Sequence, residues 1–453
     1  MSNLMASLNA ATKSLKAYEQ ALAVVQNNVT NATTPGYVRQ QADLVSLAFQ
    51  PNKELAGGVE ARSFISSRDQ FSERAVWQQA ARYGRISQTA AGLAQIEPVF
   101  DITEGAGIAG AIDSLYGAFS QWSVTPNDLP TRQAVLSSAE SVSRAFQFTA
   151  NSIAQVRDYA KREAGSVAAE INAIAQDISE LNIQYRQDFR NREDAGLDAQ
   201  MHAALEQLAE LADFNTIPQE GGGLMVLLGG QTPLVIGDKA FAVSADTSGA
   251  QVEIRNYKGE VITSQVAQGR LKGLLDLANT LLPSYLVDLD HLAVTFADRI
   301  NEILEGGVDQ NGQPPIVGLF TYDAAGGAAR TLAVTDITAE ELAGALSGEL
   351  GGNGNALALA ALAISPELGG FTFTEYYGQI ASKVGGAIAA YTVDRQSQSL
   401  LLSQARSLRD QESAVDLNEE AAQLLEYQRS YQAVAKMIEV LDELTEVVIG
   451  LLR

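Results

Sequence analysis

The sequence has two histidines, His202 and His291, and no cysteine, so few side chains are available for catalysis or metal binding. Both histidines lie in helical patterns, and no carboxylates cluster near either one at the spacing of a metal site. The lack of cysteine also excludes disulfides, thiolate ligands and cysteine nucleophiles. We therefore interpret both histidines as ordinary helix residues, and we predict no catalytic residue, no cofactor and no metal ion.

One glycine pattern, Gly105 to Gly110, matches the GxGxxG loop that holds the pyrophosphate of a dinucleotide. Such a loop needs a buried apolar strand just before it and an acidic residue about twenty positions later, on a second strand. Here Asp101 to Glu104 precede the glycines, and Thr125 to Asp128 indicate a loop. We interpret the glycines as a flexible connection between two helices.

A second pattern, Asp309 to Gly312, resembles the opening of a calcium-binding loop. The twelfth position of that loop, which needs a bidentate Glu, is Phe320, so the pattern indicates a hairpin turn instead. The sequence also lacks a GxSxG nucleophile elbow and a Walker phosphate loop. No group of residues thus supports the alternative of an enzyme built on a helical scaffold.

The composition disfavours two classes of partner. The chain of 453 residues has a formal net charge of −23, whereas nucleic acids and anionic membranes attract basic surfaces. Lys13 and Lys16 interrupt the apolar pattern of the first residues, which therefore do not resemble a secretory signal. The longest apolar run, Ala356 to Ile364, is too short to span a bilayer. We expect no nucleic-acid binding, no membrane insertion and no cleaved signal peptide.

The first stretch of the chain carries the clearest structural pattern. Its apolar residues recur alternately four and three positions apart, which predicts a helix with one narrow stripe against a partner helix. The stripe consists of Leu4, Leu8, Ala11, Leu15, Tyr18, Leu22, Val25 and Val29. We expect the helix to stop between Asn27 and Tyr37, because Pro35 disfavours helix at the preceding residue and Gly36 permits a turn.

The last stretch, from about Asp416 to Arg453, carries a second heptad stripe. Its two registers are Leu417, Leu424, Tyr431, Ile438 and Leu452, and Tyr427, Val434, Leu441 and Val448. Outside the stripe this helix is acidic, which indicates either a solvated face or a face that selects a partner. Two heptad helices at opposite ends suggest that the termini meet. Whether they pair within one chain or with other copies stays open.

Residues beside both stripes resemble the terminal signatures of bacterial flagellar rod, hook and hook-associated proteins. At the N-terminus the resemblance rests on residues 27–40, NNVTNATTPGYVRQ. At the C-terminus it rests on residues 415–420, VDLNEE, and on residues 426–433, EYQRSYQA. Arg39-Gln40 and the double Glu are most similar to the hook-associated members. A looser resemblance continues through the helical region to about Phe214.

The middle of the chain changes character twice. Val38 to Leu47 indicates a strand or an extended connector, and helical patterning then runs from about Ser67 to Asp213. Short apolar runs between turns follow, at 224–228, 234–236, 241–243 and 252–254, and predict a small β-rich region. Helix returns from Gly269 to about Glu305. A last helical region, from Thr374 to Arg409, is expected to break only at Gly385-Gly386 and to continue directly into the C-terminal heptads.

These patterns predict a mainly α protein with a smaller β-rich insertion, elongated and nested, with coiled-coil-like N- and C-terminal helices. The expected segments are an N-terminal assembly segment (1–50), a first helical part (51–214), a small β-rich domain (215–268), a helical return (269–308), a Gly/Ala-rich mixed segment (309–370), a last helical part (371–410) and a C-terminal assembly segment (411–453).

The resemblance implies a structural subunit that forms the junction between flagellar hook and filament after type III export. The implied partners are further copies of the chain, the hook protein, a second hook-associated protein and a cytosolic export chaperone on the C-terminal helix. The implied location is the extracellular flagellum. A hook or rod subunit of the same family is the alternative. A cytosolic coiled-coil adaptor would explain the heptads but not the Asn-rich turn.

We assign the assembly interface to the two stripes and to the turn after the first helix. Its residues are Leu4, Leu8, Leu15, Tyr18, Leu22, Val25, Asn28, Asn31, Gly36, Tyr37, Leu417, Leu424, Tyr427, Tyr431, Val434, Ile438, Leu441 and Val448. An isolated helix with an open apolar stripe is only marginally stable in water. We therefore hypothesise termini that are unfolded or loosely helical in the monomer and become ordered on assembly.

Overall fold

The computed structural model describes residues 2–50, 55–100, 105–349 and 351–451. The expected mainly α class with small β-sheets is confirmed. The helices are α1 (Ser2–Asn31), α2 (Gln70–Ala94), α3 (Gly107–Val124), α4 (Leu129–Gln187), α5 (Ala195–Leu211), α6 (Gly269–Asp276), α7 (Leu282–Glu305), α8 (Ala328–Thr331), α9 (Gly354–Ala361), α10 (Phe373–Ser413) and α11 (Leu417–Leu451).

The strands form antiparallel pairs. They are β1 (Gln40–Ser46), β2 (Phe49–Gln50), β3 (Leu55–Ala56), β4 (Val59–Ser66), β5 (Phe214–Pro218), β6 (Leu224–Leu228), β7 (Thr232–Ile236), β8 (Lys239–Ala240), β9 (Ser244–Asp246), β10 (Glu253–Arg255), β11 (Gly307–Val308), β12 (Phe320–Thr321), β13 (Ala333–Val334) and β14 (Ala345–Leu346). Strands β5 to β8 form a four-stranded sheet in chain order, and β1 pairs with β4 in a hairpin after α1.

Helix α4 is the longest element, and its 59 residues give it a length of about 89 Å. It begins one residue before Pro130, which suits the first turn of a helix because it has no N–H to leave unpaired. A buried stripe that includes Ile153, Ala164 and Ile171 faces the body of the molecule. Helices α3, α5, α6 and α7 and the sheet strand β7 all pack against α4, so this helix holds the middle of the chain together.

The largest cluster of buried apolar side chains extends from Leu93 to Ile388 along the chain. It joins side chains of the helices, such as Phe119, Phe146 and Phe296, to those of the sheet, such as Val226. The helical body and the β-rich region therefore share a core.

One of the four expected apolar runs is not a strand. Residues 224–228 form β6, and the runs at 234–236 and 252–254 fall largely on β7 and β10, but Phe241 to Val243 form a loop. There the backbone N–H of Phe241 donates to Leu234, and the N–H of Val243 donates to the side chain of Asn172 on α4. Because α4 supplies a hydrogen-bond partner, this stretch does not need a neighbouring strand.

Two expectations for the last helical region are wrong. Helix α10 continues through Gly385 and Gly386 without a break. It then ends at Ser413 instead of continuing into the C-terminal heptads. Ala414 is extended, and the carboxylate of Asp416 accepts hydrogen bonds from the first N–H groups of α11, which starts a new helix.

The two motifs that resembled ligand loops have structural explanations. A Cβ at Gly110 would lie 2.2 Å from the backbone of Gly105, so these glycines permit a close approach at the start of α3. Asp101 to Glu104, which precede them, lie outside the described residues. The carboxylate of Asp309 accepts hydrogen bonds from the N–H groups of Asn311 and Gln313, and so it stabilises a turn. The expected hairpin is wrong, because β11 before this turn pairs with the distant strand β14.

Candidate functional site: the paired chain ends

Helices α1 and α11 pack against each other along their lengths, antiparallel, within one chain. The rings of Tyr18 and Tyr427 lie 6.4 Å apart between centroids, and Asn28 near the end of α1 bonds to Glu420 near the start of α11. The expectation that the termini meet is therefore confirmed. The two stripes have each other as partners, so the hypothesis that open stripes leave the termini unfolded loses its premise.

The expected interface residues fall into three groups by burial. Val25 and Asn28 are buried, and Leu417 is exposed. The half-buried ones are Leu4, Leu8, Leu15, Tyr18, Leu22, Asn31, Gly36, Tyr37, Leu424, Tyr427, Tyr431, Val434, Ile438, Leu441 and Val448. Val29, the last position of the N-terminal stripe, is exposed, and Leu452 lies outside the described residues. Their role in assembly stays a prediction, because the contact seen here lies within one chain.

A second face of α1 packs against the β1–β4 hairpin and was not predicted. It includes the small buried residues Ser14, Ala17 and Ala21, whereas the buried Ala11 belongs to the predicted stripe. The hydroxyl of Ser14 accepts a hydrogen bond of 2.9 Å from the N–H of Val59 at the start of β4. Alanine and serine are weak hydrophobic signals, so the sequence pattern showed only the larger residues that face α11.

Asn28 connects the turn after α1 to the start of α11. Its amide nitrogen donates to the carbonyl of Gln40 at 2.8 Å and to the carboxylate of Glu420 at 3.0 Å. Its amide oxygen accepts from the hydroxyl of Tyr37 at 2.9 Å and from the N–H of Gln40 at 3.0 Å. An Asn side chain offers two donors and two acceptor positions, and all four are in use. This one buried residue therefore fixes the path of the turn and the register of the two helices.

Glu420 is a fully buried carboxylate at the same contact. Its second oxygen lies 2.8 Å from Nε of Arg39, whose Nη2 lies 2.9 Å from the carboxylate of Glu419. Burial opposes the charge of Arg39, but the bonds and charges of Glu419 and Glu420 outweigh it and raise the pKa of Arg39. Burial, helped by the charge of Glu420, raises the pKa of Tyr37 to about 12. We call Asn28, Tyr37, Arg39 and Glu420 the terminal lock.

A second polar cluster joins the terminal lock to the helical body. Arg68 bonds to the carbonyl of Gly36 at 2.6 Å, to Asp198 of α5 at 2.7 Å and to Glu73 of α2. A Cβ at Gly36 would lie 2.3 Å from the carbonyl oxygen of Ala199, so only glycine fits there. The backbone of Arg39 also bonds to Ser413 at the end of α10. The turn after α1 is thus held by three helices of the body.

The two histidines lie in different surroundings. His202 is packed edge-on against Trp77 inside the second polar cluster, where burial and the charges of Arg68 and Arg409 lower its pKa. His291 is exposed on α7 beside Tyr376. Within the described ranges, no three His, Asp or Glu side chains are grouped as metal ligands. Nor is any helix there both long and apolar enough to cross a bilayer.

A second apolar stripe on α11 is uncovered. Met437, Val440, Leu444 and Val447 follow the helical spacing three, four and three, and each is between 46% and 59% exposed. They lie on a different side of the helix from Tyr427, Val434 and Leu441, which face α1. The sequence contains this signal, but it was interpreted only as the acidic side of the helix. We call these four residues the outer stripe.

Comparison with known structures defines the fold first. The structure described as the flagellar hook junction protein FlgK from Burkholderia pseudomallei superposes with a TM-score of 0.68, at 14% sequence identity. The match covers 74% of this chain and 99% of that chain. At this identity the likeness shows the fold alone: a mainly helical protein with the architecture of a hook junction protein.

Sequence comparison then gives the family. Residues 93–320, half of the chain, match the family model described as flagellar hook-associated protein FlgK helical domain, and the chain belongs to that family. Residues 409–451 match the family described as flagellar basal body rod FlgEFG protein C-terminal. The relative from Bacillus subtilis, flagellar hook-associated protein 1, is 25% identical over 99% of both chains. The Salmonella typhimurium protein of the same name is 25% identical over 67% of this chain, which spans 57% of that relative's length.

Proposed function

We propose that this protein is a structural subunit of the bacterial flagellum that joins the hook to the filament, and that it is not an enzyme. The observation that carries the proposal is the antiparallel pair of helices α1 and α11 at the two chain ends. The terminal lock holds this pair together, and α11 exposes an apolar stripe. The names of its relatives, flagellar hook-associated protein 1, support the same role. The flagellar class of its family fits a structural protein.

We propose that the outer stripe of α11 makes the contacts between copies. Four exposed large apolar residues in a row on one helix are unusual on a soluble surface and favour a protein partner. In this proposal the residues at the contact of α1 with α11 act indirectly, because they hold together the helix pair that presents the outer stripe. Leu417 and the other interface residues assigned from the sequence remain candidates for direct contact.

The partners implied by the resemblance belong to the same proposal. They are the hook protein on one side, a second hook-associated protein on the other, and a cytosolic export chaperone at the C-terminal helix. The proposed location is the extracellular flagellum, reached by type III export without a cleaved signal peptide. The acidic charge of the chain gives no reason to add a nucleic acid or a membrane.

The seven segments expected from the sequence remain our proposed division, with one change. Strand β4 lies in the segment 51–214, yet it pairs with β1 and packs against α1. We therefore propose that the N-terminal assembly segment extends to about the end of β4.

A hook or rod subunit is the alternative function. The match of residues 409–451 to a rod protein family favours this alternative, but only for the C-terminal part of the chain. The terminal signatures are shared among these proteins, so they do not separate the two. The match of residues 93–320 to a hook-associated helical domain supports the junction instead.

The test is to delete the gene in the source bacterium and examine the cells by electron microscopy. We expect hooks without filaments, filaments restored by the intact chain, and gold-labelled antibody against the chain at the hook tip. Antibody along the hook or in the rod would support the alternative, and normal filaments in the deletion strain would contradict the proposal.

A further inference from the structure

Helix α10 has one covered side and one bare side. Its covered side packs on α2, through Leu402 and Gln398, whose amide bonds to Gln79. On the bare side lie Val393, Leu400, Leu401 and Leu408, which are between 47% and 72% exposed. Their spacing of about seven places them along one face of the helix. We call these four residues the α10 face.

The α10 face is also poor in charge. Between Val393 and Leu408 the charged residues are Asp394 and Arg395, which are opposite in sign, and Arg406, which pairs with Glu206 on α5. The whole chain, in contrast, carries a net charge of −23. An exposed helix normally has charged residues on its solvent side, so an uncharged apolar side indicates a contact with protein.

Two glycines near the start of the α10 face, Gly385 and Gly386, support a contact with protein there. Glycine in the interior of a helix is destabilising relative to alanine. Among the described residues, nothing lies within 4 Å of where a Cβ would stand at Gly385 or Gly386. The packing of the chain described here therefore does not require glycine at either position, whereas the close approach of another chain would.

We propose that the α10 face docks against a second copy of this chain, as a lateral contact that rests on the proposed self-assembly. Copies of a chain with a charge of −23 repel each other over most of their surface, so they can approach best where the surface is uncharged. A basic partner protein would instead be attracted to the acidic faces and would gain nothing from this one.

The size of the α10 face explains why it acts only within an assembly. From Gly386 to Leu408 it spans about 33 Å, and at a width of about 10 Å it covers about 330 Å², against roughly 800 Å² per partner in a stable complex. It therefore cannot hold a dimer in solution. It lies close in sequence to α11, which begins nine residues after Leu408, so it continues the proposed terminal interface.

The test uses the double variant Leu400→Ser/Leu401→Ser in cells that lack the natural chain. Both side chains are exposed, so the melting temperature of the purified variant should fall only by the small loss of helix propensity from leucine to serine. The amount of chain retained on isolated hooks, relative to the amount exported, should fall about tenfold because a repeated contact is lost. The matched control is Val287→Ser, which removes an exposed aliphatic side chain from α7 and should leave retention unchanged.

Two further measurements separate the possible outcomes. Gly386→Ala should raise the melting temperature, because alanine favours helix, and yet lower retention on hooks. A photoreactive benzoylphenylalanine at Ser397, an exposed position midway between Val393 and Leu401, should crosslink on hooks to a second copy, identified by mass spectrometry. A crosslink to a different protein, or full retention of the leucine double variant, would overturn the lateral contact. Absence of the intact chain from hooks would instead contradict the proposed function.

Discussion

At the scale of single residues, the pairing of the chain ends depends most on Asn28. It bridges the turn backbone at Gln40, the hydroxyl of Tyr37 and the buried carboxylate of Glu420. A buried polar group that loses its partner keeps the cost of its desolvation, so removing a bridging residue affects every group that it joined. Asn28 therefore specifies the register of the two helices in addition to stabilising them.

We call the antiparallel pair of helices α1 and α11 the terminal hairpin. We predict that Asn28→Ala destabilises it by roughly 3 kcal/mol, because Glu420 and both backbone groups of Gln40 lose a partner. Hydrogen exchange followed by mass spectrometry should show faster exchange in α1 and α11 and no change in α4. The control is Asn31→Ala, which removes only bonds within the exposed part of the turn and should cost about 1 kcal/mol or less. Equal exchange in the two variants would contradict the role of Asn28.

Tyr37 gives the terminal lock a dependence on high pH. Its pKa is raised from 10.0 to about 12 by burial and by the charge of Glu420, so the folded state resists loss of the proton. The unfolded chain releases that proton near pH 10.0, so the stabilisation is complete below this pH and is lost as the pH rises to about 12. We predict that the stability advantage of the natural chain over Tyr37→Phe shrinks across this range. Urea denaturation of both proteins at several pH values measures the difference in their free energies of unfolding. A difference that stays constant between pH 10.0 and about 12 would contradict the prediction.

At the scale of elements, α1 lies between α11 and the β1–β4 hairpin and uses a different face for each. Large residues such as Leu15, Tyr18 and Leu22 face α11, whereas the small residues around Ala17 face the hairpin. A helix covered on two sides needs little support from the rest of the molecule. This arrangement explains how the paired helices α1 and α11 can keep their shape although they join the body mainly through the second polar cluster, Ser413 and the β1–β4 hairpin.

We predict that Leu424→Glu disrupts the terminal hairpin without affecting the helical body. Leu424 is half-buried in the stripe of α11, where an unpaired charge costs several kcal/mol. Protection from hydrogen exchange should fall in α1 and α11, while the melting temperature of the shared core stays the same. The control Glu426→Gln changes an exposed residue two positions away and should alter neither. A large fall in the core melting temperature would show that the hairpin and the body fold as one unit.

Many of the helices and their apolar stripes were predictable from the sequence, and each element that was not predicted has a physical explanation. Heptad spacing identified which helices have stripes, because Leu15, Tyr18 and Leu424 are large and regularly placed. The same spacing could not show that the stripes pair within one chain, since that depends on the polar contacts of Asn28 and Glu420. The β4 strand was missed because its inner side carries the small residues Ala61 and Ser63, so the alternation that marks a half-buried strand is weak. The break after α10 was missed because Ala414 and Val415 are not turn residues.

At the scale of the whole molecule, the helical body and the paired chain ends are joined at the second polar cluster. Arg68 and Gly36 connect the turn after α1 to α2 and α5, while Ser413 connects it to the end of α10. The outer stripe and the α10 face both lie on the last two helices. The described structure thus concentrates its candidate contacts between copies at one end of the chain.

The measurement that tests the account most directly is an electron cryomicroscopy map of isolated hooks that end in this protein. We predict that Met437, Val440, Leu444 and Val447 of one copy are buried against the terminal helices of its neighbours, with α1 and α11 of each chain still paired through Asn28 and Glu420. A map in which the outer stripe faces solvent while the α1–α11 contact is formed between different copies would contradict the account.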